Sequence, residues 1–291
     1  MAINLFDAYL QNSNGDVLTL TGREDKWKIT SITGLNPPQA QVNTATVAGM
    51  DGALFNSSKL NTRNIVITLY LVGDIEANRQ EVYFYARTKE RCTFYFANNN
   101  RDVYIDGYID NVECNLFNNG QMMQISIICP YPYFKALSEI VDNISKMQAA
   151  FTFPFSINYD DPVIFSFFDE SYVGTIINDS DSECGLIIEM MFNAAVSSIM
   201  ISNAEIDDEY MVLTYAFQDD DVVRVNTTKG EKSITLTRDG ETINIFSALE
   251  KGSTFFQLKQ GVNYFTFSTD SGSNDTDVIV KLIHNTVYRG V

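Results

Sequence analysis

The sequence contains a single histidine and a single tryptophan among 291 residues. One histidine cannot build a metal centre from several imidazoles, and any nucleophile–histidine pair would have to use His284. His284 lies in VIVKLIH (278–284), an apolar run typical of a strand. We therefore expect a partly buried sheet histidine, and the sequence predicts no catalytic residue.

Several other features are absent. There is no GxxxxGK[ST] or GxGxxG motif, so a phosphate-binding loop has no support. The start, MAINLFDAYLQ, lacks the basic and apolar regions of a signal peptide, and no apolar run reaches 18 residues. The four cysteines lack CxxC spacing and are expected to be buried free thiols: Cys92, Cys114, Cys129 and Cys184. These absences predict a soluble protein that folds in a reducing cytoplasm, without membrane insertion.

Negative charge is concentrated in the second half of the chain. Residues 1–135 carry 11 Lys and Arg against 13 Asp and Glu, whereas residues 136–291 carry 9 against 24. Such an acidic half repels phosphates and anionic membranes, so sequence-specific binding of nucleic acid is not expected. We interpret the charge as favouring solubility, with a dedicated cation site as the alternative.

Three acidic clusters are candidates for that cation site. DSDSE (179–183) spaces its carboxylates like the start of a calcium loop, but Cys184 stands where glycine is needed and Met190 where glutamate is needed. DDEY (207–210) and DDD (219–221) have no spacing that fixes a geometry, and we interpret them as solvated turns. No metal ligand and no cofactor are predicted.

Carbohydrate chemistry has weak support. A chain with 37 acidic residues always supplies pairs of carboxylates, so their number is no evidence for a glycosidase. Sugar binding by a β-sandwich needs an exposed aromatic ring, and Trp27 is expected at a strand surface or an interface in the first half. Tyr172 or Tyr215 would be substitutes, and nothing in the sequence favours them.

Strands dominate the predicted structure of the first half. Asn14-Gly15 predicts a hairpin within residues 3–33, NIVITLYLV (64–72) a central strand, and residues 75–90 a helix capped by Asp74. The sequence further predicts strands at TFYFA (93–97) and VYIDGYI (103–109), a bulge near Asp110-Asn111, a hairpin at Asn119-Gly120, and inward-facing Met123, Ile125, Ile127 and Cys129. On the helix, Ala77, Val82, Tyr85, Ala86 and Lys89 share helical spacing.

The stretch CPYPYF (129–134) predicts a domain boundary. Proline cannot donate to a sheet ladder and disfavours helix in the residue before it, so the preceding strand must end near Cys129. We expect a first domain of residues 1–135 and a second of residues 136–291.

The second half is predicted as a β-sandwich, with a short helix over about 136–147. The strand candidates are FTFPFSI (151–157), VIFSFF (163–168), GTIIN (174–178), GLIIEMMF (185–192), MVLTYAF (211–217), SITLTR (233–238), ETINIF after the Asp239-Gly240 turn, TFFQL (254–258), NYFTFS (263–268) and VIVKLIH (278–284).

The order of several motifs resembles the distal tail protein (Dit) family of long-tailed bacteriophages. In the first half they are ITGLNPP (32–38), RNIVITL (63–69), the helix after Gly73 and CPYPYF (129–134). In the second half they are FPFSI (153–157), TIIND (175–179), IMISNAEI (199–206), DVVRVNTTKGEKSITL (221–236), STFFQLKQGVNYFTF (253–267) and VYRGV (287–291).

The resemblance implies a structural hub at the tip of a virion tail, made in the cytoplasm of the bacterial host. It implies a mainly β protein, in which an N-terminal ring-forming belt domain with one flanking helix precedes a C-terminal galectin-like or carbohydrate-module-like β-sandwich. Its expected partners are five further copies of itself in a hexameric ring, the tail tube protein, the tail-associated tip protein and receptor-binding proteins. No enzymatic activity is expected, and no binding residue is assigned.

The polar, turn-rich segment 42–62 is the candidate for an assembly arm that adds to a neighbouring sheet edge. Deleting residues 48–58 is expected to leave a folded monomer that cannot form rings. The alternative, from a different class, is a carbohydrate-binding protein that uses the C-terminal sandwich to attach to the host surface. A hydrolase ranks behind both.

Overall fold

The protein is described by a computed structural model that divides into two compact units. The described residues are 6–115, 121–144, 147–149, 166–168, 173–206, 208–270 and 277–291, with only the backbone described for 147–149 and 166–168. Unit 1 contains Met1–Leu137 together with Val287–Val291, and unit 2 contains Ser138–Thr286. The chain therefore passes between the units twice. The return of Val287–Val291 to unit 1 has no counterpart among the sequence predictions.

Unit 1 is built on an antiparallel sheet. Its strands are β1 (Phe6–Asn12), β2 (Val17–Thr19), β3 (Trp27–Thr33), β6 (Arg63–Leu71), β7 (Arg91–Asn98), β8 (Asp102–Cys114) and β9 (Met122–Cys129), and a separate hairpin is formed by β4 (Ala40–Ala45) and β5 (Leu54–Leu60). The strand order is β2-β1-β7-β8-β9-β6-β3. β6 is thus central, between β3 and β9, as its apolar sequence predicts.

Alternating side chains place the core of unit 1. Met123, Ile125, Ile127 and Cys129 of β9 are fully buried, which confirms the predicted inward face. β8 pairs with β7 up to Tyr108 and with β9 from Tyr108 onward, and the register with β9 shifts between Ile109 and Asn111. The predicted bulge is confirmed, and it lets one long strand take part in both halves of the sheet.

The helix α1 (Ile75–Tyr85) is shorter than predicted. Its N-cap is confirmed, because the Asp74 carboxylate accepts a hydrogen bond from the Ala77 backbone N–H at 3.2 Å. Ala77 itself is exposed, and Asn78 takes the buried position by donating to the carbonyls of Lys26 and Val72. Across the part of the chain that the structure describes, no helix is long and apolar enough to cross a membrane.

The chain enters unit 2 along β10 (Phe134–Asn143), where a helix over about 136–147 was predicted. That prediction is wrong, because Lys135 and Ala136 pair with β8 of unit 1, and the following residues continue as a strand. Hydrogen bonds to a strand that is distant in sequence decide the conformation here, and the local spacing of apolar residues does not reveal them.

The described part of unit 2 contains two larger antiparallel sheets and the two-stranded sheet β11-β12, confirming a mainly β architecture. Its further elements are β11 (Met147–Ala149), β12 (Ser166–Phe168), β13 (Gly174–Asn178), β14 (Ile187–Phe192), β15 (Val196–Asn203), β16 (Tyr210–Phe217), β17 (Val222–Asn226), β18 (Ser233–Arg238), β19 (Glu241–Asn244), a 3₁₀ turn (Phe246–Ala248), β20 (Gly261–Thr269) and β21 (Val278–Tyr288). One sheet has the order β19-β18-β17-β14-β21-β10, and the other has the order β13-β20-β15-β16. Phe192 of the first sheet stacks on Phe217 of the second at 4.3 Å, so the sheets pack face to face.

Three strand predictions in unit 2 have other outcomes. TFFQL (254–258) contains only an isolated bridge, between Leu258 and Cys184, and is not a strand. FTFPFSI (151–157) lies outside the described residues, as does the Asn119-Gly120 hairpin of unit 1. Of VIFSFF, only Ser166–Phe168 is described, and it pairs with β11.

Candidate functional site

His284 is buried in the sheet of unit 2. It is 2% exposed, and neither ring nitrogen has a hydrogen-bond partner among the described residues. The Asp142 carboxylate lies 3.8 Å from Nε2. Burial lowers the pKa of His284 below its ordinary value, against the smaller opposing effect of Asp142. The interpretation of His284 as a sheet histidine agrees with this position.

This burial predicts a loss of stability in unit 2 on acidification. Because the pKa of His284 is lower in the folded chain, the unfolded chain binds a proton first, and stability falls as the pH drops below about 6.5. Calorimetry at pH 7.5 and pH 5.5 measures how far the unfolding temperature of unit 2 falls on acidification. We expect this fall to be smaller in His284→Leu than in wild type. An equal decrease in wild type and variant would contradict the assignment.

The described side chains of the acidic clusters do not assemble a metal site. Among the described residues, no group of three His, Cys, Asp or Glu side chains is placed to hold an ion. In the 179–183 turn, Glu183 pairs with Lys229, and Asn178 stabilises the turn by donating to the Ser182 carbonyl. Asp207 lies outside the described residues.

Asp221 contradicts the interpretation of 219–221 as a solvated turn. Its side chain is 0% exposed and accepts two hydrogen bonds from Arg238, at 2.7 and 2.6 Å. The Gln218 backbone N–H donates to the same carboxylate at 2.8 Å. Asp219 and Asp220 remain exposed, so only the last acid of the cluster is structural.

Trp27 is not at a surface or interface, which corrects the sequence prediction. It is 1% exposed in the core of unit 1, and its Nε1 has no partner among the described residues. Arg23 and Lys26 place their cationic groups over its ring, 5.6 and 5.9 Å from the centroid. Tyr215 is half-buried beside Phe217, and Tyr172 lies outside the described residues.

The cysteines are free, as predicted, and three of the four are buried. Burial raises the pKa of Cys92 and Cys129 to about 12 and that of Cys184 to about 11. Such thiols stay protonated at neutral pH and are therefore weak nucleophiles. Cys114 is only half-buried, which departs from the prediction.

The most exposed regular structure in the described chain is the hairpin of β4 and β5, called the arm (residues 40–60). Its strands pair with each other in register from Ala40↔Leu60 to Ala45↔Leu54, with a bulge that leaves Asn56 unpaired. Within the described residues, neither strand joins the main sheet of unit 1. Two-stranded hairpins are marginally stable on their own, so a partner surface would stabilise this one.

The register gives the arm two chemically different faces. Paired residues of an antiparallel hairpin lie on the same side. One face carries Ala40, Val42, Thr44, Phe55, Ser58 and Leu60, and the other, more polar face carries Gln41, Asn43, Ala45, Leu54, Ser57 and Lys59. Val42 is 56% exposed and Phe55 65% exposed. The arm therefore presents an uncovered apolar face, a feature that marks an interaction site.

A row of tyrosines crosses unit 1 at positions that the sequence did not single out. Tyr9, Tyr95, Tyr104 and Lys135 are direct cross-strand neighbours on β1, β7, β8 and β10. The Tyr9 and Tyr95 rings stack at 4.4 Å, and the Tyr95 and Tyr104 rings lie 5.9 Å apart. Half-buried stacked tyrosines lose little entropy on binding, a property of protein interfaces. Finding this row requires the strand register, which the sequence does not supply.

Two family models match the chain. Residues 14–129 match a phage tail protein RIFT-related domain, and residues 179–282 match the C-terminal domain of a siphovirus-type tail component. No curated protein matches the chain.

Solved phage structures share the fold at low sequence identity. The chain is similar to the crystal structure of the Dit protein of phage SPP1, described as a paradigm of the hub adsorption apparatus in phages that infect Gram-positive bacteria. The identity is 11% and the TM-score 0.67, over 96% of this chain and 98% of that one. It is also similar to chains of the phage P2 baseplate in its activated conformation, with calcium (13% identity, TM-score 0.55) and with strontium (12%, 0.52), over the same shares. Because the two family models cover most of the sequence, we conclude that the chain belongs to the distal tail protein (Dit) family of siphophages and is a structural component of a phage tail.

Proposed function

We propose that six copies of this protein form a ring at the tail tip, which joins the tail tube to the tip or baseplate proteins and holds receptor-binding proteins. In this role the protein acts by assembly and not by catalysis. The observation that carries the proposal is the uncovered apolar face of the arm, on a chain that belongs to a tail-component family. A surface repeated on every copy is suited to a closed ring, in which each arm meets the next copy.

The charge distribution favours unit 1 as the ring-forming part. The arm contains one acidic and one basic residue, Asp51 and Lys59, so neighbouring arms do not repel one another. Residues 136–291 carry 15 more negative than positive charges, and six such domains packed in a ring core would repel strongly. A near-neutral unit 1 also lacks the basic surface that would bind DNA passing through the ring.

Substitution of the apolar face tests the arm. We expect Val42→Ser combined with Phe55→Ser to convert rings into monomers, because each buried side chain contributes about 1.5–3 kcal/mol at every interface. Light scattering measures the outcome as about 197 kDa for six copies or 32.8 kDa for one, and negative-stain images show whether the larger species has a central hole. This double substitution tests the apolar face more specifically than a deletion of 48–58, because the deletion also removes most of β5.

The matched control changes the opposite face. Gln41→Ser combined with Asn43→Ser should leave rings intact, since both residues lie on the polar face of the same strand. If wild type is monomeric alone, the same samples are measured with the cognate tube and tip proteins. Rings that survive the apolar-face substitutions would remove the arm from the interface, and a wild-type monomer in the presence of both partners would reject the ring.

Sugar binding by the C-terminal domain stays a prediction. The described residues of unit 2 include one exposed aromatic side chain, Phe246, which is 44% exposed and stacks on Phe255. Saturable binding of host cell-wall polysaccharide that is lost in Phe246→Ala would support this function.

A further inference from the structure

Arg63 is a buried cation whose contacts differ from those of an ordinary ion pair. It begins β6, three residues after the arm ends, and it is 3% exposed. No Asp or Glu among the described residues lies within ion-pair distance, and burial lowers the pKa of its guanidinium. Such a charge is stable only when its donors are satisfied in another way.

Backbone carbonyls from three separate segments satisfy this guanidinium. Nε donates to the Pro132 carbonyl at 2.8 Å, and Nη2 donates to the Arg289 carbonyl at 2.5 Å. Nη1 donates to the carbonyls of Gly34 and Asn36, the latter at 2.7 Å. The guanidinium also lies over the Phe134 ring, 4.5 Å from its centroid.

Each of these segments has a defined place in the chain. Gly34 and Asn36 precede β4, so together with Arg63 itself they form the base of the arm. Pro132 lies just before the passage into unit 2 at Leu137, and Arg289 just after the return at Val287. All four acceptors belong to unit 1, although Arg63 and Arg289 are 226 residues apart in sequence.

A second set of contacts attaches the closing segment (Val287–Val291) to the arm base. The Val291 backbone N–H donates to the Leu35 carbonyl at 3.2 Å, and Gly290 packs so closely that a Cβ atom there would lie 3.0 Å from Pro37. Arg101 donates to the Gly290 carbonyl at 2.5 Å and stacks over the Tyr288 ring at 4.1 Å. Arg101 therefore holds the closing segment, but it has none of the contacts with 34–36 or 132 that Arg63 makes.

We propose that the Arg63 guanidinium is a coupling point that fixes the base of the arm to both chain segments through which unit 1 continues into unit 2. Arg63 is then a positioning residue: displacement of either connecting segment removes hydrogen bonds that also hold the arm. Because such coupling is reciprocal, loosening the closing segment must loosen the arm base, and loosening the arm base must loosen the closing segment. The device supplies a route by which a change in the C-terminal half reaches the assembly arm.

Amide hydrogen exchange of the full chain tests the coupling. Lysine keeps the charge but lacks the planar fork that reaches four carbonyls. We expect Arg63→Lys to raise exchange about tenfold in peptides covering 36–45, 130–136 and 284–291, while peptides from β9 stay unchanged. The control Arg23→Lys makes the same chemical change in unit 1 at a residue that pairs with Glu81, and it should leave exchange in all three peptides unchanged.

A deletion of residues 288–291 provides the reciprocal measurement and does not depend on the folding of an Arg63 variant. It removes the Arg289 carbonyl and should raise exchange at 36–45, far away in sequence. Unchanged exchange at the arm base in this deletion would overturn the proposal. So would an Arg63→Lys effect confined to residues beside 63, or one that is equal throughout unit 1 including β9.

The exchange samples are measured at a concentration at which light scattering gives every variant the same molar mass. The outcome then does not depend on ring formation. The two proposals are therefore tested separately. If the arm plays no part in assembly, the exchange measurements still test the coupling, and if the coupling fails, the light-scattering experiment still tests the ring.

Discussion

Replacement of Gly34 by alanine is expected to lower the free energy of unfolding of unit 1 by about 4 kcal/mol or more. Gly34 has φ +87°, a conformation in which a side chain costs about 1–2 kcal/mol. A Cβ atom at this position would also lie 2.2 Å from the Asn64 carbonyl oxygen. That oxygen belongs to the backbone of the central strand β6, so it cannot move aside without disturbing the sheet.

Gly22→Ala is the matched control for Gly34→Ala. Gly22 also has positive φ, +68°, but a Cβ atom there would have no other atom within 4 Å. We expect a loss of only about 1 kcal/mol from the backbone conformation. Trp27 lies in the core of unit 1 and is the single tryptophan of the chain, so its fluorescence during urea unfolding reports on unit 1. Equal losses in the two variants would show that the close approach to Asn64 has no energetic effect.

Asp221→Asn is expected to destabilise unit 2 by about 3 kcal/mol. The carboxylate is fully buried and accepts from Arg238 and from the Gln218 N–H. An asparagine amide would point N–H donors at the Arg238 guanidinium, which has only donors of its own. The Asp221 carbonyl also accepts from the Phe192 N–H at 2.9 Å, so the turn is joined to β14. Calorimetry should show that the unfolding temperature of unit 2 is roughly 6–12 °C lower than in wild type.

The effect of Asp221→Asn should depend on pH. Hydrogen bonds from Arg238 hold the pKa of the Asp221 carboxyl below its ordinary value. The folded-state pKa is thus the lower one, so the stabilisation is fully present above the ordinary pKa of about 4 and is lost as pH falls through the folded value. Wild type and variant should therefore differ most at neutral pH and converge in acid.

Two controls accompany the Asp221 measurement. Asp219→Asn removes an exposed carboxylate from the same turn and should change the transition little. The unfolding transition reported by Trp27 should be the same in wild type and in both variants, because Trp27 belongs to unit 1. A small effect of Asp221→Asn, similar to that of Asp219→Asn, would mean that solvent replaces the lost ion pair.

Much of the local structure follows from the sequence because its causes are local. Alternation along 123–129 predicts the buried face of β9, and Asp74 predicts the start of the helix. Apolar residues stand at odd positions up to Ile109 and at even positions from Val112, and this change predicts the bulge in β8. Asn14-Gly15 predicts the first hairpin, and Gly15 has the positive φ that the turn requires. In each case neighbours within a few residues supply the information.

The candidate site is only partly readable from the sequence. Its polar composition and turn residues indicate 42–62 as an arm, but the two faces follow from a register that contains a bulge at Asn56. The tyrosine row depends on cross-strand neighbours more than 80 residues apart along the chain, such as Tyr9 and Tyr95. The family resemblance is confirmed by the family models.

A mainly β chain of the distal tail family, with an acidic second half and a candidate arm, can thus be predicted from the sequence. Four features become visible only in the fold: 136–143 is a strand, Trp27 is core, Asp221 is buried in an ion pair, and Val287–Val291 returns to unit 1. The two groups of features differ in the range of the interactions that cause them. Turns, caps and alternation act between neighbours in sequence, whereas the Arg63 guanidinium is satisfied by carbonyls that only folding brings together.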